Sequence, residues 1–596
     1  LAGWLNDQLS GAAAASDDGG TTDEPVTVDA PPTPASQPAP EMFSEAVAVE
    51  ESKEQLPSSF RIRRPVLVSR PPWAMGSIKD RVVKVIGDTP LADAIRERVA
   101  AKGGFVTGAP DAVIDAGSDV METFKVAQSL DDARPRDWVC AAHTGEIAQD
   151  LESGRDAGAR AGFAKAIGRE WEDCTARLVN VNPSMDVQTA AALAIEELAA
   201  SDGSVEVHWN DEGRHAVELA VVPFPESGAT SNTPVVALTG GTRGITAQVA
   251  LAFAARGGCK LALMARTAPG SEPYDEPSAK AAAKADLEAA GERATPAAVR
   301  RKLAPLVRAE EARCNVEQMR AMGAEVSFFR VDLSDAEGIR SVLDDIRSQL
   351  GPIDVLIHGA GVEESRLIAD KDDAAFSRVF DGKAKGGLAL AQALEPEAFF
   401  VSMGSVAGRF GNPGQVDYSA ANEAMAQVCM ARPHSLHVDW TAWGDVGMAV
   451  RGGMDKLLDA RGVEMLPAGP GSNLVVDMVT AGITGEVVVA GRLGDFGIAP
   501  AHPLIDAVEM DGDQLIGRRA LSLASDPWIT DHAIDGKPVL PGVIGLEMMA
   551  AVAMMADPGH RYAGADRVQY KAPVKLHGDA TTAILITATP VEGGVE

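Results

Sequence analysis

The chain has 596 residues and a 46% hydrophobic share, too long for one core and ordinary for a globular protein of roughly three or four folded units. A net charge of −31 lacks the basic footprint with which nucleic-acid binders displace counterions, so neither DNA nor RNA is the expected partner. No apolar run reaches the roughly 20 residues of a membrane span, and Cys140, Cys174, Cys259, Cys314 and Cys429 form neither a zinc nor a disulfide pattern, which fits a reducing cytoplasm.

Residues 1–10 have helical spacing, as at the end of a preceding domain. Residues 11–59 are rich in Ala, Pro, Ser, Thr and acidic residues, bury too little apolar surface to offset chain entropy, and read as a flexible linker. The start at Leu1 and an end in what looks like mid-domain read as an excised piece of something larger. From 60 to about 230, strand patterns at Val82–Gly87, Ala112–Ala116, Trp138–Ala142 and Ala176–Val181 alternate with helix patterns at Thr89–Lys102 and Ala157–Trp171. This alternation predicts a mostly parallel sheet. The turn after its first strand, Gly87-Asp88-Thr89-Pro90, lacks the further glycines of a phosphate-binding turn, so this half reads as structural.

A second α/β unit opens at Pro234. The run Val235-Val236-Ala237-Leu238-Thr239 enters Gly240-Gly241-Thr242-Arg243-Gly244-Ile245-Thr246, and a helix pattern follows from Ala247 to Arg256. Glycine lets the backbone bend sharply and approach a phosphate, and the N–H groups at the helix start hold its charge. Alone, such a turn is weak evidence, because many glycine turns bind nothing. The next strand, Lys260–Ala265, ends at Arg266, where an arginine suits the adenosine 2′-phosphate of NADPH and an acidic residue would suit NADH. A solvated surface arginine is the plain alternative; Arg243 in the turn favours the phosphate. Residues 269–322 predict one or two surface helices inserted into the unit. A strand at Ala324–Val331 ends at Asp332-Leu333, where Asp332 is placed for an adenine edge or for a helix cap, with Ser334 as a competitor. The strand Ile353–Ile357 closes in His358-Gly359-Ala360-Gly361, whose small residues leave room for a ligand.

Phe399–Met403 is a buried-strand pattern that delivers Ser405 at its carboxyl end. Tyr418 comes thirteen residues later, and Asn422 lies one helical turn beyond it on the same face. The loop between, Gly408–Gly414, is rich in glycine and proline. These residues resemble the short-chain dehydrogenase/reductase superfamily, specifically the ketoreductases of polyketide and fatty-acid megasynthases. The resemblance is carried by Thr239–Gly244, His358–Gly361, Ser405-Val406-Ala407-Gly408, Gly411-Asn412-Pro413-Gly414-Gln415, and Trp443-Gly444 with Gly447-Met448-Ala449.

It implies an NADPH site formed by Thr239, Gly240, Gly241, Thr242, Arg243, Gly244, Ile245, Arg266, Asp332, Leu333, Gly359, Ala360, Gly361, Gly447 and Met448. In the superfamily a lysine usually stands four residues after the tyrosine. In these ketoreductases an asparagine takes that place and an earlier helix supplies the lysine. Asn422 fits the swap and Lys383 matches the earlier lysine; Lys385 lies roughly 200° round a helix from it and cannot face the same site. A phenol of pKa about 10 is a poor acid at neutral pH without a nearby cation. The implied roles follow: Ser405 hydrogen-bonds the substrate carbonyl, Tyr418 donates the proton, Lys383 supplies the field, and Asn422 holds the lysine. Such ketoreductases also carry a degenerate, cofactor-less copy of the fold ahead of the catalytic one. Ala161–Ala166 and Arg177–Val179 resemble its helix–strand pair. The family's Leu-Asp-Asp signature is replaced by Glu363-Glu364-Ser365, and Phe410 stands where the opposite type often has tryptophan, so product configuration stays open.

After Gly491, Asp526-Pro527-Trp528-Ile529-Thr530-Asp531-His532 leads to Gly536 and Pro541, then a helix pattern at Val543–Ala556 and strand patterns at Val568–Ala572 and Ala583–Ala588. This resembles the first half of a hot-dog dehydratase of the same megasynthases, in which a histidine removes the α-proton of a 3-hydroxyacyl thioester. An acid from a second hot-dog unit completes that site. His532 alone would be incomplete, and a platform for dimerisation or docking is the plain reading.

The expected fold is α/β, with two Rossmann-like doubly wound parallel-sheet subdomains, the first degenerate and the second NADPH-binding, followed by an α+β hot-dog domain. The expected organisation is 1–59 preceding domain and linker, 60–230 structural subdomain, 231–500 catalytic subdomain with the insertion at 269–322, and 501–596 hot-dog domain. The domain order most resembles a polyunsaturated-fatty-acid synthase or a related iterative type I polyketide synthase. It implies a cytoplasmic enzyme acting on a 3-ketoacyl thioester held by an acyl carrier domain, with other megasynthase domains as partners and a homodimer allowed. No metal, nucleic acid or membrane is expected. A non-catalytic scaffold is the alternative, against which the intact Lys–Ser–Tyr–Asn set argues.

Overall fold

The strand Arg61–Ser69 (β1) is the seam of the molecule, a computed structural model. The structure describes residues 56–57, 59–70, 78–105, 108–200, 204–225, 233–446, 456, 458, 462–494, 504–505, 507–511, 514–523, 526–557, 562–576, 581–591 and 594–596. The helix expected at residues 1–10 and nearly all of the linker lie outside them, as do Gly447 and Met448.

The first half supplies β2 (Val83–Ile86), β3 (Ala112–Asp115), β4 (Asp137–Ala142), β5 (Thr175–Val181), β6 (Glu206–Asn210) and β7 (Gly213–Val222). The second supplies β8 (Val235–Thr239), β9 (Lys260–Ala265), β10 (Glu325–Arg330), β11 (Val355–His358), β12 (Phe399–Met403), β13 (Ser435–Trp440) and β14 (Gly485–Ala490). Among the described residues they form one 14-stranded sheet, in the order β10-β9-β8-β11-β12-β13-β14-β1-β7-β6-β5-β4-β3-β2. β1 runs antiparallel to both neighbours, pairing Ile62 with Val489 on one side and with Val222 on the other. The strands from β10 to β14 are parallel, as are β2 to β6. Helices cover both faces, which is why β8 is buried at every position and reads as an unbroken apolar run.

The helices of the first half are α1 (Pro90–Ala101), α2 (Val120–Ser129), α3 (Leu151–Glu170) and α4 (Val187–Leu198). In the second half they are α5 (Gly244–Ala255), α6 (Glu276–Ala289), α7 (Pro296–Ala321), α8 (Ala336–Leu350), α9 (Asp373–Phe380), α10 (Gly386–Ala393), α11 (Val406–Phe410), α12 (Val416–Ala431) and α13 (Ala468–Thr480). The inserted segment therefore holds two helices. The second is no mere surface helix, because Val316 and Met319 enter the main core beside Phe253.

Strand order separates the two halves. In the second, the order reverses at β8 and β11, the point at which open sheets of this kind bind ligands beyond the carboxyl ends of their strands. In the first, β2 is itself the edge of the sheet and no reversal occurs among the described residues. Its turn is also filled: Thr89 donates its hydroxyl to Ala116 O at 2.5 Å and accepts from Ala92 N at 3.1 Å, capping α1.

The halves share a core in which Phe124 and Phe163 of the first meet Phe376 and Ala420 of the second. α3 lies along α12 with a glycine every fourth residue, Gly154, Gly158 and Gly162, facing the backbone of Gln427, Glu423 and Ser419. A Cβ on Gly158 would come within 2.6 Å of Glu423 O.

The C-terminal piece pairs β15 (Ala507–Asp511), β16 (Gln514–Leu521) and, beyond the short hairpin β17 (Ala533–Ile534) and β18 (Lys537–Pro538), β19 (Thr582–Ala588). The helix α14 (Gly542–Ala556) covers this antiparallel sheet through Met548, Ala551 and Val552. The strand expected at Val568–Ala572 is irregular chain. Val568 and Tyr570 are exposed, and the Tyr570 hydroxyl donates to Gly542 O at 2.8 Å, so the alternating pattern serves a contact with α14 instead of a ladder.

Candidate active site

The glycine turn sits where the strand order reverses. Gly240 and Gly244 have φ of +77° and +60°, in the left-handed region where a side chain is costly. Gly240 also passes close to the opposite strand end, since a Cβ there would stand 3.3 Å from Ala360 N. Two residues after Gly244, in the first turn of α5, stands the buried, β-branched Thr246. The room it needs comes from Gly359, where any Cβ would run into Thr246 Oγ1. The small residue that this close approach of helix and strand needs stands after the strand.

A chain of hydrogen bonds ties this turn to Lys383. Ala360 N donates to Thr239 Oγ1 at 3.3 Å, Thr239 Oγ1 lies 2.9 Å from His358 Nδ1, and His358 Nε2 lies 3.0 Å from Lys383 O. A carbonyl only accepts, so Nε2 carries the proton and Nδ1 accepts from the threonine hydroxyl. Burial, then the Lys383 charge, pushes the His358 pKa down to about 3, which keeps the ring neutral. In the sequence, His358 stands out only as the first residue of a small-residue segment.

Around the turn, Arg266 is exposed at the end of β9, and its charge helps to hold the Asp332 carboxyl below its usual range, behind the hydrogen bonds from Ser334. Asp332 Oδ1 accepts from Ser334 N at 3.1 Å and Oγ at 2.9 Å, while the cap of α8 is Asp335. Leu333 is half-buried and lies against Gly386 at the start of α10. Arg243 is the N-cap residue of α5 and makes no side-chain cap.

Ser405 follows β12 as the N-cap of α11, its Oγ accepting from Ala407 N at 3.2 Å. Tyr418 lies in the first turn of α12 and Asn422 one turn on. Burial raises the Tyr418 pKa to about 12, and the Glu363 carboxylate adds to the rise. The Ser405 and Asn422 side chains lie near enough to the phenol to oppose that rise.

Lys383 lies in a π-helical turn, Asp381–Lys385, between α9 and α10. Such turns redirect side chains and recur at functional sites. Lys383 is buried, whereas Lys385 is exposed and paired with Asp381 at 2.8 Å. Burial lowers the Lys383 pKa to about 8 against the opposing pull of Asp439 and Cys429. Its Nζ donates to Met403 O at 2.7 Å, at the end of the strand that delivers Ser405. Asn422 Nδ2 donates to Tyr418 O at 2.8 Å, and its Oδ1 is buried without a hydrogen-bond partner among the described residues.

Other contacts around the site were not evident in the sequence. Lys371, a lone cation in an acidic run, is buried against Asp417 at 2.6 Å and donates to Glu364 O at 2.8 Å. Gln415 Nε2 donates to Glu363 and Ser365, fixing the segment that replaces the Leu-Asp-Asp signature. From the first half, Glu170 accepts from Ile368 N at 2.6 Å and Gly414 N at 2.8 Å, and Arg169 Nε donates to Phe410 O at 2.6 Å.

In the C-terminal piece His532 stands exposed before the β17–β18 hairpin, Nδ1 2.8 Å from Val539 O. That bond makes Nδ1 the protonated nitrogen and leaves Nε2 as the basic one.

The KR domain family model matches residues 235–445, beginning at β8 and ending after Trp443-Gly444, and the polyketide synthase dehydratase domain model matches 502–596. The chain carries a ketoreductase domain. The start of a polyketide synthase dehydratase domain follows the ketoreductase. A polyunsaturated fatty acid synthase polypeptide of Thraustochytrium sp. is 26% identical over 496 residues, which cover 78% of this chain and 17% of that protein. Mellein synthase of Phaeosphaeria nodorum is 33% identical over 141 residues, 22% of this chain and 8% of that one. The chain thus spans less than a fifth of the length of these relatives. An A1-type ketoreductase structure matches with a TM-score of 0.57 at 22% identity, covering 73% of this chain and 93% of its own. The ketoreductase from the first module of phoslactomycin biosynthesis in a Streptomyces species matches at 0.56 and 19%, covering 72% and 93%. These likenesses extend beyond the matched ketoreductase residues and establish the two-half α/β fold, and the dehydratase match after it is consistent with a hot-dog domain. Among the described residues no helix is long and apolar enough to cross a membrane.

Proposed function

We propose that the chain reduces a 3-ketoacyl thioester, held on an acyl carrier domain, to the 3-hydroxyacyl thioester with NADPH, as part of a fatty-acid or polyketide megasynthase. The observation that carries this reading is geometric: Ser405 begins α11, which packs at Gly408 against Asn422, one turn from Tyr418 on α12, at the strand ends beside the point where the strand order reverses. The residues around the turn fit the cofactor: left-handed glycines, the small residues Gly359, Ala360 and Gly361 after β11, and two arginines, Arg243 and Arg266. NADPH, when bound, supplies the hydride.

The rest falls to the chain. Ser405 orients the ketone oxygen, and Tyr418 donates the proton that oxygen needs. Buried as it is, the phenol keeps its proton at neutral pH and gives it up only to a developing alkoxide. Lys383 provides positive potential from behind the strand end, and Asn422 Oδ1 is the acceptor through which a water or the ammonium couples to the tyrosine helix. Arg266, Asp332, Leu333, Gly359, Ala360 and Gly361, with Gly447 and Met448, would line the cofactor. Residues 60–230 serve as a structural subdomain, 231–500 as the catalytic one, and 501–596 as a hot-dog domain whose His532 would need an acid from a second unit to dehydrate the product.

The test is NADPH oxidation by purified protein with trans-1-decalone or an acetoacetyl thioester. Wild type should exceed Tyr418→Phe by at least about 100-fold, the usual weight of a positioned general acid. Equal rates would leave the chain a non-catalytic scaffold of the megasynthase.

A further inference from the structure

The anion position at the start of α5 is taken by a residue of the inserted segment. Gly244 N donates to Glu311 Oε1 at 3.2 Å, and Glu311 Oε2 lies 4.0 Å from Arg243 Nη1. One turn further along α7, Asn315 Nδ2 donates to Thr242 O at 3.0 Å. Two successive turns of the inserted helix are therefore seated on the glycine turn. α5 has no cap from its own N-cap residue, so the carboxylate of Glu311 meets the positive end of its dipole.

We infer that Glu311 is an internal competitor for the cofactor phosphates. This rests on the proposal that the turn binds NADPH. A phosphate at the turn needs the same amide and the same guanidinium, and it would be repelled by a carboxylate left in place. The side chains of Glu311 and Arg243 keep 46% and 37% of their exposure, so a rotamer change at Glu311 swings the carboxylate into solvent without unpacking α7. Asn315 holds the helix on the turn while that happens. The inserted segment thus sets the threshold of cofactor affinity.

The experiment is a fluorescence titration of the chain with NADPH and NADH, using wild type and Glu311→Gln, with inorganic pyrophosphate as a displacing anion and the Tm of each protein without nucleotide. Glu311→Gln should bind NADPH about fivefold tighter and be displaced by less pyrophosphate, the size expected for removing a charge at a helix terminus. Its Tm without nucleotide should fall, since a cap is lost. A merely structural cap would move affinity and Tm downward together. NADPH affinity unchanged or weaker in Glu311→Gln, with wild type binding normally, overturns the inference alone. If neither protein binds NADPH or NADH while both are folded by circular dichroism, the cofactor reading falls and takes this inference with it.

Discussion

Gly162 of the first half and Ser419 of the second meet backbone to backbone: a Cβ on Gly162 would run into the Ser419 carbonyl oxygen. Ser419 follows Tyr418, so a helix from the first half supports the helix bearing the proposed proton donor. Glu170 and Arg169, at the end of the same α3, hold Gly414 in the loop that leads to Tyr418 and Phe410 at the end of α11 before it. The first half thus forms part of the surface on which α12 is set.

Gly162→Leu should therefore cost about 1–3 kcal/mol, the usual range for overpacking a tight contact. Urea denaturation would measure the loss, and the rate of ketone reduction should fall with it although no proposed catalytic group is altered. Gly545→Ala is the control. A Cβ there meets nothing within 4 Å, and helix propensity favours the change. A harmless Gly162→Leu would show that α3 and α12 are not held by this contact.

The complementary sizes of Thr246 and Gly359 predict a rescue. Gly359→Ala alone should destabilise the protein and impair NADPH binding, since the new methyl meets Thr246. Adding Thr246→Gly should restore much of both, with a coupling of about 1 kcal/mol or more in a double-mutant cycle. Additive effects would mean that the two positions do not share the space.

The depressed Lys383 pKa predicts a pH signature. Folded, the ammonium loses its proton near pH 8, whereas the unfolded chain holds it to about 10.4. Between these values the unfolded state binds more protons, so this group's contribution to stability rises with pH. Lys383→Met should lack that rise, and the difference between the two urea stability curves from pH 7.5 to 10 measures it. Ketone reduction should decline in the same window as the positive potential is lost. A wild-type profile indistinguishable from that of Lys383→Met would remove Lys383 from the mechanism.

What was legible in the sequence was what repeats locally. The glycine turn at Thr239–Gly244 needs left-handed backbone, and Ser405, Tyr418 and Asn422 declare themselves by strand end and helical spacing. Lys383 could be chosen over Lys385 by helix geometry, but a π-turn does not follow from that spacing. The contacts made across the sheet were not legible. His358 joins the turn to Lys383 through two bonds whose partners are far apart in the chain, and Lys371 seeks Asp417 through tertiary packing alone. Nothing in the spacing of the charged inserted segment sets Glu311 apart from its neighbouring acids. β1 escaped recognition because arginines alternate with its apolar residues and both partner strands are distant. At Val568–Ala572 the opposite happened: an alternating pattern found no ladder to join.

β1 also constrains how the protein is made. It is translated before almost everything it binds, and its pairing to β7 can form as soon as the first half emerges from the ribosome. Its other side must wait for β14, near the end of the ketoreductase region. During that interval β1 is an open edge of a nearly finished sheet, the kind of surface that recruits strands from neighbouring chains. Its sequence over Arg61-Ile62-Arg63-Arg64-Pro65 answers the hazard with three cations and a proline on five successive positions. The seam that unites the finished molecule is thus protected, while it waits, by the charges that hid it as a strand.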